Sequence, residues 1–309
     1  MLANFFGKSK PINFIVIIGI FFGFYSLALF TGVSFDKLTG AFVFKGVSIF
    51  LFFLIIFFFS NFIVTKNNLT FDNSYAFLFL ILFISFFCPE FLEIKALVLF
   101  LIHLLFLRKV YSLQSTKSVF QKLFDAGFWL GILFIIEPFS IVFFIFLYGS
   151  LYLHQKITIR TLLIPIIGFL IPLILFFSYV FWHDNLEKIL NLFSFYTNYK
   201  LSLYTKSQFL VPLSTISFIT IVSLFIKTPK VLSIKNTFRK SWVLVTLNLL
   251  VSMFFIVLLP LRNGSELLFL LFPASIISAN GLEVITKKVI KEIVLIVLLI
   301  CSFTFSFLL

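Results

Sequence analysis

The sequence has very few charged residues. Only 11% of its 309 residues are Asp, Glu, Lys or Arg, whereas 61% are hydrophobic. A soluble domain carries about a quarter charged residues, so this composition cannot cover a water-exposed surface. The shortage of charge excludes an ordinary soluble protein and predicts a chain that lies mostly in a lipid bilayer.

Cysteine and histidine are also scarce. The two cysteines, Cys88 and Cys301, lie in apolar segments, and the sequence has no CxxC pair or Cys/His cluster. A disulfide framework and a zinc site are therefore not expected. The three histidines, His103, His154 and His183, are scattered, and their spacing does not predict a haem or di-metal site.

What the sequence contains instead is a series of long apolar runs. A span needs about 20 apolar residues, or fewer where a helix is tilted or broken. We predict an all-α fold, a polytopic transmembrane helical bundle of about 11 spans (9–11), in a single integral membrane domain over residues 1–309. The predicted spans are 12–31, 47–64, 75–88, 92–107, 124–136, 139–153, 161–181, 209–226, 242–261, 266–282 and 293–309.

Two pairs of these spans are short and close together. A short segment with proline and glutamate separates the members of each pair: Pro-Glu-Phe lies between 75–88 and 92–107, and Glu-Pro lies between 124–136 and 139–153. Each pair is either two crossings or a single kinked helix or re-entrant hairpin. Proline at such a break is tolerated where neighbouring protein or water satisfies the freed carbonyl groups. In the first span, Gly19 and Gly23 have the small-xxx-small spacing of closely packed membrane helices.

The basic residues predict the orientation of the chain, because cytoplasmic loops retain Lys and Arg. With the N-terminus inside and the C-terminus outside, the inner loops hold 17 of the 24 Lys and Arg residues. These are Lys8, Lys10, Lys66, Arg108, Lys109, Lys117, Lys122, Lys156, Arg160, Lys227, Lys230, Lys235, Arg239, Lys240, Lys287, Lys288 and Lys291. This distribution also explains the net charge of +13 without a nucleic-acid partner.

The acidic residues show the opposite distribution. In this topology, seven of the 11 acids lie outside: Asp36, Glu90, Glu93, Glu137, Asp184, Glu187 and Glu266. Acids contribute little to topology, so this excess indicates that polar chemistry takes place on the outer face. The longest outer segment has apolar residues near helical spacing, and we predict an interfacial helix near 184–206.

Four residues are candidates for a functional site. Asp36 lies in the first outer loop and is a candidate general base or metal ligand. Glu90 and Glu137 each precede or follow a proline at a helix break, where a carboxylate is costly unless it faces a cavity or a partner. Arg262 is the one arginine predicted outside, and its paired donors suit a phosphate group. Each also has a purely structural interpretation. Asp36 could be a solvated loop acid, Glu90 and Glu137 could be acids at the membrane rim in tight turns, and Arg262 could pair with Glu266.

From Lys117 onward, the order of segments resembles the polyprenol-dependent membrane glycosyltransferases of the GT-C superfamily. A basic loop precedes FDAGFWLGILFIIEPFSIVFF, followed by the turn HQKITIR and the Pro-rich span LLIPIIGFLIPLILFFSYVFWHD. The late segment LRNGSELLFLLFPASIISANGLE is similar to the Arg-then-Pro span of that superfamily. The chain also resembles an uncharacterised multi-pass inner-membrane protein family of Bacteroidota.

The GT-C resemblance implies transfer of a sugar from a polyprenyl-phosphate carrier at the outer face of the bacterial inner membrane. Asp36 would activate the acceptor, and Arg262 would hold the carrier phosphate. For an enzyme of this type, the positions of Glu90 and Glu137 make either one our candidate contact to a divalent metal ion or to the acceptor. The first outer loop departs from the superfamily pattern, because it has about 15 residues and a single acid where the superfamily has a long loop with two.

Two other functions remain open from the sequence. The protein could be a non-enzymatic membrane scaffold that binds other membrane proteins in an envelope assembly, in which case its acids would be dispensable. It could instead be a transporter or lipid flippase, in which Glu137 would gate a cavity.

Overall fold

The computed structural model describes residues 1–30, 39–184, 189, 192–193, 195–197, 199–233 and 236–308. Within these residues, helix is the only regular secondary structure, which confirms the predicted all-α class. A helix satisfies its backbone N–H and C=O groups within one segment, as a bilayer requires. The apolar composition therefore accounts for the fold class.

Twelve α-helices have both of their ends within the described residues. They are α1 (Leu2–Phe6), α2 (Pro11–Phe30), α3 (Gly40–Lys66), α4 (Tyr75–Ser85), α5 (Ile94–Tyr111), α6 (Val119–Ile136), α7 (Phe143–Leu153), α8 (Ile159–Trp182), α9 (Ser207–Leu232), α10 (Asn236–Leu258), α11 (Leu267–Val284) and α12 (Lys288–Leu308). Short 3₁₀ turns lie at Cys88–Phe91, Ser112–Gln114 and Pro138–Val142.

Each predicted span overlaps one of the helices α2 to α12. Eight helical segments of the described chain are long and apolar enough to cross a membrane, and Tyr75–Ser85 and Pro138–Leu153 are shorter apolar helices. The protein is therefore a multi-pass membrane protein. The finer predictions, about 11 spans with the N-terminus inside and the C-terminus outside, are not confirmed by these lengths.

The two short pairs of spans are broken at the positions that the prolines predicted. The 3₁₀ turn Cys88–Phe91, with Pro89 near its start, separates α4 from α5. At the second break, Glu137 has extended backbone angles and ends α6, and Pro138 begins the next 3₁₀ turn. The residue before a proline is disfavoured in the helical region, so α6 ends there.

The chain folds as two compact units, and the predicted single membrane domain stays a prediction. Unit 1 contains Met1–Leu97, Leu201–Lys235 and Asn263–Leu309, and unit 2 contains Val98–Lys200 and Asn236–Arg262. In unit 1, α11 packs against both α4 and α9. Every residue of α4, and every residue of α11 from Leu267 to Leu282, is buried, so these two helices form its core.

In unit 2, the most extensive packing joins α6 and α8. A Cβ atom built on Gly127 would lie 2.0 Å from the Pro165 carbonyl oxygen, and one on Gly168 would lie 2.3 Å from the Phe124 carbonyl oxygen. The two backbones therefore touch at glycines. The predicted close packing at Gly19 and Gly23 is wrong, because a Cβ there would meet no described atom within 4 Å.

The predicted interfacial helix near 184–206 does not extend over its second half. Ile189 and Leu192 are helical, whereas the described residues 195–197 and 199–206 lie outside any helix. Phe195 packs edge-on against Phe139, with ring centroids 5.7 Å apart, and the Tyr204 N–H donates to the Leu201 carbonyl over 3.0 Å in a turn. Its position at a membrane surface stays a prediction.

Candidate functional site

Three carboxylates lie near one another at one end of unit 1. Glu90 lies in the 3₁₀ turn after α4, Glu93 directly precedes α5, and Glu266 directly precedes α11. We call these three residues the carboxylate cluster. The loop before α11 joins two of them, since the Asn263 side-chain amide donates to Glu93 Oε2 over 3.2 Å.

Glu266 is the most enclosed member of the cluster and is only 6% exposed. Its carboxylate accepts hydrogen bonds from the Tyr204 hydroxyl, from the Gly264 N–H over 3.2 Å and from the Asn263 N–H over 3.3 Å. A negative charge is also stabilised at the positive N-terminal end of a helix. These contacts fold the loop around Glu266 and give it a structural function.

Gly264 makes this loop possible. Its φ of +94° lies in the region that favours glycine. A Cβ atom there would lie 2.8 Å from the Phe209 ring and 3.3 Å from Cγ of Glu90. The small residue therefore lets Glu90 and the aromatic ring approach the loop backbone.

Glu90 is half-buried, and its environment opposes ionisation. Burial is the largest cause that raises the pKa of its carboxyl group, and the nearby charge of Glu266 raises it further, whereas Lys206 lowers it. A raised pKa means that the folded chain holds this proton to a higher pH than the unfolded chain does. The stability gained from the proton is present at low pH and is lost as pH rises through the raised pKa.

Glu137 lies in unit 2, at the end of α6. Its N–H donates to the Leu133 carbonyl over 2.8 Å, and its own carbonyl accepts from the Ser140 N–H over 3.0 Å. The backbone of Glu137 thus joins the helix to the following 3₁₀ turn, which packs against α10. Its half-buried side chain remains a candidate for the functions predicted from the sequence.

Arg262, also in unit 2, has a structural contact set that the sequence did not indicate. Its guanidinium donates from Nε to the Ile256 carbonyl (3.1 Å), from Nη2 to the Val257 carbonyl (2.7 Å) and from Nη1 to the Lys200 carbonyl (2.9 Å). The last turn of a helix has carbonyls without partners inside the helix. Arg262 therefore caps α10 and anchors the segment that ends at Lys200.

The other predicted site features are not tested in the same way. Asp36 lies outside the described residues. Among the residues that are described, no group of three or more His, Cys, Asp or Glu side chains is placed to hold a metal ion. The function proposed below therefore includes no step on the divalent metal ion considered from the sequence.

The opposite end of unit 1 holds a buried ion pair. Lys227 Nζ lies 3.1 Å from Glu283 Oε2, and the two side chains are 1% and 5% exposed. The other oxygen of Glu283 accepts from the Phe71 N–H over 2.9 Å and from the Asn73 side-chain amide over 2.6 Å. The pair links the ends of α9 and α11 to the segment before α4.

The comparisons with known proteins identify a family and give no activity. The sequence model of a family of unknown function (DUF6427) matches residues 4–308. The chain belongs to this family. Neither a curated protein nor a solved structure matches it.

The helix breaks were predictable from the sequence. The contacts of Arg262 with main-chain carbonyls and the pairing of Lys227 with Glu283 were not predicted. The predicted topology placed Glu90 and Glu266 on one side, in agreement with their position in the same cluster. It treated Lys227 and Glu283 as separate loop charges, although their burial makes them a pair. Their positions in the sequence could have indicated the pair, because each residue directly follows the end of a predicted span.

Proposed function

We propose that the protein is a GT-C-like membrane enzyme that transfers a sugar from a polyprenyl-phosphate carrier at the membrane face bearing the carboxylate cluster. One observation carries the proposal most directly. The carboxyl group of Glu90 is half-buried and has a raised pKa, in part because of the charge of Glu266. It lies in the 3₁₀ turn after α4, and Glu266 directly precedes α11. Perturbed acids of this kind are typical of proton-transfer sites.

The chemistry requires one bond to form and one to break. An acceptor hydroxyl forms a bond to the anomeric carbon of the sugar, and the bond from that carbon to the carrier phosphate breaks. The acceptor proton goes to a carboxylate, and the carrier leaves as polyprenyl phosphate. We assign the carboxylate to Asp36, as the resemblance implies, and the contact with the acceptor to Glu90.

The negative charge of the carrier phosphate needs a cationic partner. Three of the five guanidinium N–H donors of Arg262 go to described main-chain oxygens. The proposal assigns the remaining two to the carrier phosphate, so that one residue both caps α10 and binds the ligand. Glu137 is a second candidate for the acceptor contact.

The test compares Glu90→Gln with Glu93→Gln in host cells that lack the chromosomal copy. Glu93 is the matched control because it is an exposed carboxylate of the same cluster. The deletion should cause a polyprenyl-phosphate-linked sugar to accumulate, as measured by mass spectrometry of lipid extracts. Wild-type protein and Glu93→Gln should remove it. Glu90→Gln should slow its consumption by about 10²-fold, because an acceptor that has lost its contact with Glu90 is no longer held in position for the transfer.

Two outcomes would contradict this proposal. The first is an unchanged profile of lipid-linked sugars in the deletion strain, which removes the enzymatic function. The second is full complementation by inserted Glu90→Gln protein. A scaffold would be indicated by complementation with every acid variant, and a transporter by uptake into vesicles that is lost in Glu137→Gln.

A further inference from the structure

A lysine-lined cavity lies at the end of unit 1 away from the carboxylate cluster. It has a volume of about 400 Å³ and is formed by the α1 region, the segment before α4 and the start of α12. Lys8, Lys288 and Lys291 line it, together with Asp72, Asn73 and Tyr75. Ligand sites have volumes of about 300–1,000 Å³, so a headgroup-sized molecule fits.

The positive charges of this cavity are not balanced by its own acids. Glu283 also lines it, but its carboxylate binds the buried ammonium of Lys227 and the Asn73 amide. The charge of Glu283 also acts on Lys291, and Asp72 is the other acid among the described lining residues, so the lysines of the cavity outnumber its acids. An excess of positive charge in a concave site attracts an anion.

The start of α12 adds to this positive potential. Its first turn, from Lys288 to Lys291, contains two lysines and no acidic residue. Glu292 follows directly, and its carboxylate binds the N-terminal ammonium of Met1 and accepts from the Leu2 N–H over 2.7 Å. Cations at the positive end of a helix dipole are unfavourable, and an anion placed between them relieves the repulsion. The helix start thus acts together with the cavity and its lysines.

One lysine is held in place at the cavity wall. The Lys291 ammonium lies 5.8 Å from the centroid of the Tyr75 ring, within cation–π range. The Tyr75 hydroxyl in turn donates to the Ala3 carbonyl over 2.6 Å, which fixes the ring. A lysine that only sets the orientation of a membrane protein acts from a solvated loop and needs no fixed position. The contact of Lys291 with Tyr75 therefore favours a binding function.

We propose that the cavity binds the phosphate group of an anionic ligand, through Lys8, Lys288 and Lys291. Lysine binds phosphate as a point charge, and three lysines around one cavity suit a phosphate with more than one negative charge. The ligand is either the headgroup of a phosphate-bearing lipid or a soluble phosphate compound. This proposal does not depend on the proposed sugar transfer.

The experiment uses the full chain in lipid nanodiscs and has two arms. In the first arm, inorganic pyrophosphate is added to phosphatidylcholine nanodiscs. In the second, part of the phosphatidylcholine is replaced by phosphatidic acid and no soluble phosphate is added. The readout is the thermal unfolding midpoint, because a ligand that binds the folded state alone raises it.

We expect a saturable rise of the midpoint in at least one arm, and the arm identifies the source of the phosphate. Lys288→Gln/Lys291→Gln should weaken the apparent affinity at least tenfold. The matched control is Lys10→Gln/Lys287→Gln, which removes two exposed lysines outside the cavity lining and should keep the affinity within about twofold of wild type.

The proposal is overturned if neither arm gives a saturable rise. It is also overturned if both double variants lose the effect equally, since that result indicates general attraction to basic loops. If Lys288→Gln/Lys291→Gln fails to fold, the affinity of Lys8→Gln, a substitution on a separate segment, is compared with that of wild type and of Lys10→Gln/Lys287→Gln. Retained affinity in that variant would then contradict the assignment.

Discussion

Gly127→Ala is expected to destabilise the packing of α6 on α8 strongly. The new Cβ would lie 2.0 Å from the carbonyl oxygen of Pro165, far inside contact distance. That oxygen belongs to the backbone, so no side-chain rotation can remove the clash. Forced overpacking costs about 1–3 kcal/mol and more where backbone must move, which exceeds the gain of about 1 kcal/mol in helix propensity from Gly to Ala.

The neighbouring glycines support this expectation. A Cβ on Gly131 would lie 2.5 Å from the Phe169 carbonyl oxygen and 2.6 Å from Cγ of Pro172. Membrane helices lack a hydrophobic force that drives them together, and small residues allow the close backbone approach that replaces it. The clash at Gly127 therefore cannot be relieved by sliding α8 along α6 toward Gly131.

Gly23→Ala is the matched control, because its Cβ would meet no described atom within 4 Å. We expect this variant to be as stable as wild type or more stable by up to about 1 kcal/mol. The measurement is the thermal unfolding midpoint of purified protein in a mild detergent, together with the yield of monodisperse protein. Equal midpoints for Gly127→Ala and Gly23→Ala would show that the two helices do not meet at this glycine.

Lys227→Met is expected to have the other large effect. The substitution leaves the Glu283 carboxylate buried, 5% exposed, without the ammonium 3.1 Å away. Removing one partner of a buried ion pair costs about 3–5 kcal/mol, because the remaining charge stays away from water. The expected result is a large fall in the unfolding midpoint at neutral pH.

The double variant Lys227→Met/Glu283→Gln should recover much of this loss. Glutamine is neutral, and its carbonyl oxygen can still accept from the Phe71 N–H and the Asn73 amide, as Glu283 Oε1 does. The exposed Lys230, one turn along α9, supplies the control variant Lys230→Met, with an expected change within about 0.5 kcal/mol. Strictly additive losses in the double variant would contradict the pairing of Lys227 with Glu283.

The helices could be predicted from the sequence because apolar runs and charged loops alternate along it. The breaks at Pro89 and Pro138 were predicted for the same local reason. The contacts between helices could not be predicted, because several helices are apolar on every side and have no distinct buried face. In α11, for example, the residues from Leu267 to Leu282 are all buried, and no periodic pattern indicates which side meets α4 or α9.

The candidate site was predictable only as a set of residues. Their types and positions indicated Glu90, Glu137 and Arg262, since charge and proline at the ends of apolar runs are unusual. Some partners depend on the folded chain: Lys200, whose carbonyl accepts from Arg262, and Tyr204, whose hydroxyl donates to Glu266, are each 62 residues away in sequence. Lys227 and Glu283 are 56 residues apart, and only the packing of α9 on α11 brings them together.

We propose that the carboxylate cluster and the lysine cavity of unit 1 face opposite sides of the membrane, with the cluster outside. This central claim rests on α11, a candidate span with Glu266 at one end and Glu283 at the other. The most direct test labels single cysteines with a membrane-impermeant maleimide in a background in which Cys88 and Cys301 are replaced. Exposed Glu93 and Thr286 are the positions to substitute, as Glu93→Cys and Thr286→Cys. We predict labelling of Glu93→Cys in intact cells and of Thr286→Cys only after permeabilisation; labelling of both from one compartment, or the reverse order, would contradict the claim.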